Sequence, residues 1–285
     1  MVDEYLRSLG TQGKSPATIK TYRTQLNLFL NWLKDNDFCT DPKQITTMDV
    51  AEYRNYLQEL GRLPATVNTA LASIEAFCAW MLEDGHIDHN PAQKVKRVEQ
   101  VEEPPKWLTR SERAKVIRIA EREKDLRNTA IILTFLLAGL RAAELVNLKH
   151  DDIIISERKG EIVVRAGKGN KRRVVPIERD LRACLATYIT EWHPAGPWLF
   201  DSQRGEQLTY NGVYQLCEAI GKKAGLEELT PHMLRHTFGH DLALKGIAVQ
   251  TIAKLMGHKK LDTTMIYINP GREELQAAVD KLSYT

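Results

Sequence analysis

The sequence predicts a mainly α-helical protein with a small antiparallel β-sheet, divided into two domains. Three observations support this prediction: helical apolar stripes dominate the chain, a charged segment with two adjacent prolines interrupts them, and short β-branched runs occur only after that segment. At 285 residues the chain is long enough for two hydrophobic cores. We therefore expect a helical domain at 1–94, a linker at 95–108 and a mixed α/β domain at 109–285.

The first domain is predicted to be a small helical bundle. Apolar residues recur at helical spacing over 15–32, 49–60 and 64–82, which gives three amphipathic helices. The first of them has a clear start, because Ser15 is a preferred N-cap residue and Pro16 favours the first turn.

The second domain is predicted to begin with a helix and to contain three short strands. Thr109 and Glu112 have the spacing of a capping box, which marks the helix start. The β-branched runs lie at 153–156, 161–165 and 172–177, and glycines between the last two favour a hairpin. Further helices are expected at 128–138, 140–148, 178–191, 211–224, 231–245, 248–256 and 271–282.

Charge and composition indicate a globular chain whose second part favours an anionic partner. The net charge is +3, but residues 1–104 carry a balance of −4 and residues 105–285 a balance of +7. The apolar run at 130–140 is too short to span a bilayer, and no signal peptide is expected at the N-terminus. The four cysteines form no CxxC and are expected to be reduced, so a cytoplasmic protein is predicted.

The stretch PHMLRHTFGH, residues 231–240, leaves two interpretations open. His232, His236 and His240 are four residues apart, so they share one face of a helix and could form a metal site. Alternatively, His232 and Arg235 form the working pair while the other histidines pack. A single ion reaches both ends of the series with difficulty, because eight residues of helix span about 12 Å. No metal and no cofactor are therefore expected.

Three other residues could take part in chemistry, although each also has a purely structural explanation. Arg141 follows an apolar helix and could pair with Glu144 or bind an anion through bidentate hydrogen bonds. Lys168 lies between two glycines in GKGNKRR and could be a mobile cation or simply part of a solvated turn. Tyr267 lies between two isoleucines, as a core tyrosine would.

Taken in chain order, these residues resemble the catalytic set of the tyrosine recombinase (phage integrase) family. The strings that carry the resemblance are AGLRAAEL, GKGNKRRVVPI, LTPHMLRHTF, LMGH and TTMIYINP, all within 105–285. SPATIKTYRTQLNLFLNWL resembles, more weakly, the family's SAM-like core-binding domain. With no additional arm-binding domain, the chain is similar to simple Xer-type members. One departure is HTFGHDL where family members often have HTFATHL, which leaves His240 without a counterpart.

The resemblance implies a DNA strand-exchange reaction with a covalent intermediate. Tyr267 would attack a phosphodiester and form a 3′-phosphotyrosyl link, without metal or ATP. Arg141 and Arg235 would stabilise the charge on the non-bridging oxygens, and His232 would assist as general base. The two remaining members of the set have one role each: Lys168 would protonate the leaving 5′-oxygen, and His258 would donate a further hydrogen bond to the phosphate.

The resemblance also implies the partners. Double-stranded DNA would be held by Lys and Arg side chains on phosphates, and a tetramer would form on two sites. The helix at 271–282 is expected to dock on a neighbouring protomer. Two alternatives are a type IB topoisomerase-like relaxase and a non-catalytic DNA-binding protein. The candidate DNA-binding residues are Lys14, Lys20, Arg23, Lys171 and Arg172.

Overall fold

The computed structural model divides the chain into two compact units, Met1–Glu103 and Pro104–Thr285. Most of both units is helical, with one small sheet in the second, as the sequence predicts. The structure describes residues 1–36, 38–100, 105–165, 172–191, 196–202, 204–258, 260–267 and 279.

Within residues 1–36 and 38–100, the first unit contains four α-helices: α1 (Val2–Thr11), α2 (Pro16–Asp35), α3 (Thr47–Glu59) and α4 (Pro64–Glu83). α1 is absent from the sequence prediction; it is short and has no side-chain N-cap, but three buried residues fix it to the bundle. The predicted cap of α2 is confirmed, because Ser15 accepts a hydrogen bond from the Thr18 N–H at 3.1 Å. The core consists mainly of aromatic and aliphatic side chains, among them Leu26, Phe29, Leu33, Val50, Tyr53, Ile74, Phe77 and Met81.

Helix α4 is long and apolar enough to cross a membrane, but it lies in the core of this unit. Residues that follow α4 in the chain also bind to it. Asn68 of α4 binds both the N–H and the C=O of Val98 at 2.9 Å, and Arg97 forms an ion pair with Glu75. The burial of α4 therefore explains its apolar composition, since a core helix needs an apolar surface on most sides.

The second unit surrounds a largely apolar helix, α6 (Leu126–Ala138), which packs against α8 (Arg179–Glu191) and α10 (Pro231–Leu244). The capping box of Thr109 and Glu112 is confirmed at the start of α5. The helices of this unit are α5 (Arg110–Arg122), α6, α7 (Ala142–Leu145), α8 (Arg179–Glu191), α9 (Tyr210–Ala224), α10 (Pro231–Leu244), α11 (Val249–Met256) and α12 (Asp262–Met265).

The sheet has three antiparallel strands in the order β1 (Ile153–Ile155), β2 (Gly160–Val164) and β3 (Arg173–Pro176). Ile162 pairs with Val175, and both are fully buried against the helices. The antiparallel pairing of β2 and β3 agrees with the predicted hairpin, whose turn at 166–171 lies outside the described residues. This sheet brings Arg173, at the start of β3, next to the C-terminal end of α11.

Candidate active site

Helix α10 carries one of the two predicted arginines and buries it among helix ends. Arg235 is only 4% exposed. Its guanidinium donates to the carbonyl of Gly139 at 2.5 Å and to that of Met256 at 2.6 Å. These carbonyls lie at the C-terminal ends of α6 and α11, where carbonyl groups lack helical partners and the helix dipole favours a cation. Arg235 has five N–H donors, so donors remain available for a further acceptor.

Arg141 comes to the same place from the start of α7. Its guanidinium donates to Glu144 Oε1 and to the carbonyl of Gly257, each at 3.0 Å. The pair with Glu144 foreseen in the sequence is thus present, and the Arg141 side chain still keeps 39% of its surface exposed. Burial, and after it the charge of Arg141, lowers the pKa of Arg235 to about 10, so the two guanidiniums lie close enough to repel each other.

Glu144 is the anion that compensates these cations. It accepts two hydrogen bonds from Arg173, at 2.7 and 2.8 Å, and one from the backbone N–H of Arg141. Burial alone would raise the pKa of Glu144, but the hydrogen bonds and charge of Arg173, helped by Arg141, lower it to about 2. Arg173 is not among the residues predicted from the sequence, because nothing in a single sequence distinguishes it from the basic residues beside it.

Tyr267 lies in a pocket formed by α10 and α11. Its ring packs against Phe238, Ile252 and Met256, and the residue is 6% exposed. Gly239 makes room for the ring, since a Cβ at this position would lie 2.7 Å from Tyr267 Cε2. Burial raises the pKa of the tyrosine to about 12, while Arg235 and Arg141 act in the opposite direction.

The hydroxyl of Tyr267 contacts a different histidine from the one that the sequence favours. It lies 2.6 Å from Nδ1 of His236, which the sequence analysis places in a packing or supporting position. No hydrogen bond joins it to His232, although both residues are among those described. His232 is exposed on α10, and its ring centroid lies 6.4 Å from that of His236.

His258 is oriented by a buried threonine, Thr264, which is not among the residues predicted from the sequence either. It follows Gly257, whose φ of +67° ends α11, and its Nδ1 lies 2.7 Å from Thr264 Oγ1. Burial, with Arg235 and Arg141 among the nearby groups, lowers the pKa of His258 to about 4. Gly257 thus turns the chain so that His258 lies beside the two arginines.

His240 lies apart from this cluster. Its ring stacks on Trp107 with centroids 4.3 Å apart. The segment before α5 has a second contact with α10, because the N–H of Leu108 donates to Thr237 at 2.9 Å. Within α5 itself, Arg113 pairs with Asp241 of α10. Across the described part of the chain, no group of three His, Cys, Asp or Glu side chains could hold a metal ion.

The remaining predicted residues are distributed over the surface or are not described. Lys168 and Lys171 lie outside the described residues. Lys14, Lys20 and Arg172 have exposed side chains, and Arg23 is paired with Asp3 at 2.9 Å. The structure therefore brings together five of the six predicted catalytic residues, Arg141, His232, Arg235, His258 and Tyr267, and adds Glu144, Arg173, His236 and Thr264 to them.

Comparison with known proteins identifies both units. Residues 106–274 match the phage integrase family, and residues 1–87 match the N-terminal SAM-like domain of phage integrases. The first match alone covers more than half of the chain.

Full-length relatives agree with this result. The chain is 31% identical to the tyrosine recombinase XerA of Thermococcus kodakarensis over 284 residues, 99% of this chain and 94% of the relative. It is 28% identical to the tyrosine recombinase XerD of Listeria innocua over 278 residues, 94% of this chain and 93% of the relative.

Solved structures show the same fold. A crystal structure of XerA recombinase covers 100% of this chain and 98% of that chain, with 26% identity and a TM-score of 0.56. The XerH site-specific recombinase, bound to its palindromic difH substrate in a post-cleavage complex, covers 94% of this chain and 81% of that chain, with 23% identity and a TM-score of 0.77. The chain belongs to the phage integrase family and is a tyrosine recombinase.

Proposed function

We propose that this protein is a site-specific DNA recombinase in which Tyr267 cleaves DNA and forms a 3′-phosphotyrosyl intermediate. One observation carries the proposal: Arg141, Arg235 and Tyr267 come from three distant segments and meet at the C-terminal end of α11. Arg141 binds the carbonyl of Gly257, Arg235 binds that of Met256, and the Tyr267 ring packs against Met256. Two fixed guanidiniums beside a nucleophile suit an in-line attack on a phosphodiester, whose transition state concentrates negative charge on the non-bridging oxygens.

The reaction needs neither a metal nor ATP. The arginines, supported by Glu144 and Arg173, provide the positive charge at the phosphate, and His258 adds a hydrogen bond. Lys168 donates a proton to the leaving 5′-oxygen. His232, exposed one turn before Arg235, remains the sequence-based candidate for the general base. The phosphotyrosyl bond retains the energy of the broken phosphodiester, so a 5′-hydroxyl from a partner strand can reseal it.

The partner is double-stranded DNA, and the protein acts on two sites as a tetramer in the cytoplasm, associated with the nucleoid. XerH, which has the same fold, is known bound to its difH substrate, and the Tn1549 transposon integrase is known in complex with a circular intermediate DNA. Lys14, Lys20 and Arg23 on the first unit, with Lys171 and Arg172 on the second, contact phosphates. The segment 271–282, of which the structure describes only residue 279, docks on the neighbouring protomer.

The test of cleavage uses a duplex with a nick near a selected binding site, incubated with the protein in EDTA and separated on a denaturing gel. A covalent protein–DNA band that disappears in Tyr267→Phe supports the nucleophile, the reaction class and independence from metal. A band that persists in Tyr267→Phe refutes the site, and a band that requires added metal refutes the role of the arginines.

The test of assembly uses a chain truncated after Asn269. Monomer folding should be retained, while cooperative assembly on DNA, measured by sedimentation, should be lost. Assembly that survives the truncation would show that the segment 271–282 does not join the protomers.

A further inference from the structure

Among the described residues, three arginines bind three successive backbone carbonyls at the C-terminal end of α11. The carbonyls belong to residues 255–257. The first accepts from Nε of Arg173 at 3.0 Å, the second from Arg235 at 2.6 Å and the third from Arg141 at 3.0 Å. The last carbonyls of a helix lack helical partners and carry partial negative charge, so they favour cations. The end of α11 therefore fixes the positions of all three guanidiniums.

Arg173 reaches the end of α11 because residue 257 is a glycine. A Cβ at Gly257 would lie 2.8 Å from Nη1 of Arg173 and 3.0 Å from its Cζ. The φ of Gly257 is +67°, a conformation that residues with a side chain rarely adopt. Since Arg173 begins β3 and is only 16% exposed, its side chain joins the sheet to the end of α11.

The carboxylate of Glu144 is saturated with hydrogen bonds. It accepts two from Arg173, at 2.7 and 2.8 Å, and two from Arg141, from the backbone N–H at 2.8 Å and from the guanidinium at 3.0 Å. A carboxylate offers about four lone pairs, so these bonds use all of them. Nη1 of Arg235 lies 3.8 Å from Oε2 of Glu144, which is longer than a hydrogen bond.

Loss of Arg173 would open two acceptor positions of Glu144 close to Arg235. A buried carboxylate with unused acceptors attracts the nearest cation, because an unpaired charge is costly where little water is present. Arg235 would have to move only about 1 Å to shorten its distance of 3.8 Å to that of a hydrogen bond. Its free donors would then point at the carboxylate and be lost to a phosphate.

We propose that Arg173 is a positioning residue for DNA cleavage: it occupies Glu144 and so keeps the guanidiniums of Arg141 and Arg235 directed at the scissile phosphate. The inference rests on the proposed function, in which those two arginines bind the phosphate. Arg173 acts through Glu144 and the end of α11. Its planar fork suits this task, since it binds both oxygens of one carboxylate while Nε reaches a carbonyl.

The test measures how fast the covalent complex forms in a single turnover at saturating DNA, on two nicked duplexes. One duplex has a phosphodiester at the cleavage position. The other has a methylphosphonate, in which a methyl group replaces one non-bridging oxygen and removes the negative charge. A neutral linkage depends less on the positive charge around it, so a defect in the arginine pair should matter less there.

Four variants are compared with wild type on both duplexes. Arg173→Ala removes the fork, Arg173→Lys retains the charge without the fork, and Arg235→Ala removes a phosphate-binding arginine itself. The matched control is Arg127→Ala, because Arg127 is also a buried arginine, 9% exposed, that donates to a backbone carbonyl, that of Asp201, at 3.0 Å. It lies near the start of α6, about 18 Å along the helix from Gly139 at the other end.

We expect Arg173→Ala to react about 100-fold more slowly than wild type on the phosphodiester, the order of loss that a displacement of about 1 Å can cause. On the methylphosphonate the loss should shrink to about 10-fold or less, as it should for Arg235→Ala. Arg173→Lys should react at an intermediate rate. Arg127→Ala should unfold at a lower denaturant concentration but cleave at the wild-type rate.

The inference alone is overturned if Arg173→Ala cleaves at the wild-type rate, or loses the same factor on both duplexes while Arg235→Ala loses less on the methylphosphonate. If Arg173→Ala does not fold, the same two rates of Arg173→Lys decide in the same way. A wild-type protein that forms no covalent complex, or an Arg235→Ala variant that loses the same factor on both duplexes, overturns the proposed function and this inference together.

Discussion

Glu144 holds the guanidinium of Arg173 through two parallel hydrogen bonds, one to each carboxylate oxygen, at 2.7 and 2.8 Å. The same carboxylate binds Arg141 and lies 3.8 Å from Arg235. One anion therefore compensates three cations that converge on the site. Without it, the arginines would repel one another in a place where little water screens their charges.

The first prediction is that Glu144→Gln destabilises the second unit by about 3 kcal/mol at pH 7. This value follows from a pKa lowered from 4.5 to about 2 in a side chain that is 14% exposed. The folded-state pKa lies below the unfolded value, so the stabilisation is complete above about pH 4.5 and is lost as the pH falls toward about 2. Denaturant unfolding should therefore show a large difference in unfolding free energy between wild type and variant at pH 7. At about pH 3 this difference should be smaller.

The matched control for that measurement is Glu218→Gln. Glu218 forms an exposed ion pair with Lys222 on α9, and the loss of this pair should leave the unfolding free energy unchanged. If Glu144→Gln is as stable as wild type at pH 7, the carboxylate does not compensate the arginines.

The second prediction concerns the position of the tyrosine ring. Gly239→Ala places a Cβ 2.7 Å from Tyr267 Cε2 and 2.9 Å from Met256 Sδ, so the ring must shift. We expect a loss of about 1–3 kcal/mol in the unfolding free energy, as in other overpacked sites, and slower formation of the covalent complex. Gly10→Ala in α1, where a Cβ meets nothing within 4 Å, is the control and should not destabilise. An unchanged cleavage rate in Gly239→Ala would show that the precise ring position is unimportant.

The third prediction is that stability falls as the pH drops from about 6.5 to about 4. The pKa values of His236 and His258 are both lowered to about 4, so the unfolded chain binds protons in this range before the folded protein does. Arg235 acts on both rings, His232 on the first, and Tyr267 contacts the first. Unfolding midpoints measured across this range should decline for wild type and decline less for His236→Asn. If the unfolding midpoint of His236→Asn declined as much as that of wild type, the loss of stability would come from other titrating groups.

The fourth prediction concerns the proton donor to the leaving 5′-oxygen. Lys168→Ala should slow cleavage by about 10²–10⁴-fold, because an alkoxide leaves poorly without a proton. A duplex with sulfur in place of the bridging 5′-oxygen should restore the rate, since a thiolate leaves unprotonated. The same duplex should not restore Tyr267→Phe, because that variant lacks the nucleophile. Failure to restore Lys168→Ala would remove this lysine from the role of acid.

The fifth prediction concerns DNA affinity. Lys20→Ala should weaken binding to all sequences alike and reduce the slope of log affinity against log salt by about 0.9, the effect of one phosphate contact. Asp3→Asn should strengthen binding, because Asp3 neutralises Arg23. Lys43→Ala, which removes an exposed lysine on another segment, is the control. If the salt dependence of binding were unchanged in Lys20→Ala, this lysine would not contact a DNA phosphate.

The sequence predicts those parts of the fold that depend on near neighbours. Ser15 and the pair Thr109 and Glu112 mark helix starts because a cap is a contact between residues three apart. The strands β2 and β3 follow from β-branched runs around a glycine-rich turn. The convergence of arginines and tyrosine follows only from family resemblance, because no local rule brings Arg141 to Gly257.

The partner of the tyrosine could not be predicted in this way. Helical spacing shows that His232 and His236 share a face, and both are then equally plausible neighbours of a nucleophile. The choice depends on where α12 and the chain after it carry Tyr267, which is a tertiary fact. Arg173 is a similar case, since its carboxylate partner lies 29 residues away.

The stacking of His240 on Trp107 has a practical consequence for anyone who expresses the second unit alone. Together with the bond from Leu108 to Thr237, it fastens the segment before α5 to the helix that carries Arg235 and His236. A fragment that begins at Thr109, the boundary that the sequence suggests, would lose both attachments. The part of α10 that Trp107 and Leu108 cover would then be exposed to solvent. Recombinant fragments should therefore start ahead of Lys106, or poor yield and low activity will be mistaken for a requirement for the missing domain.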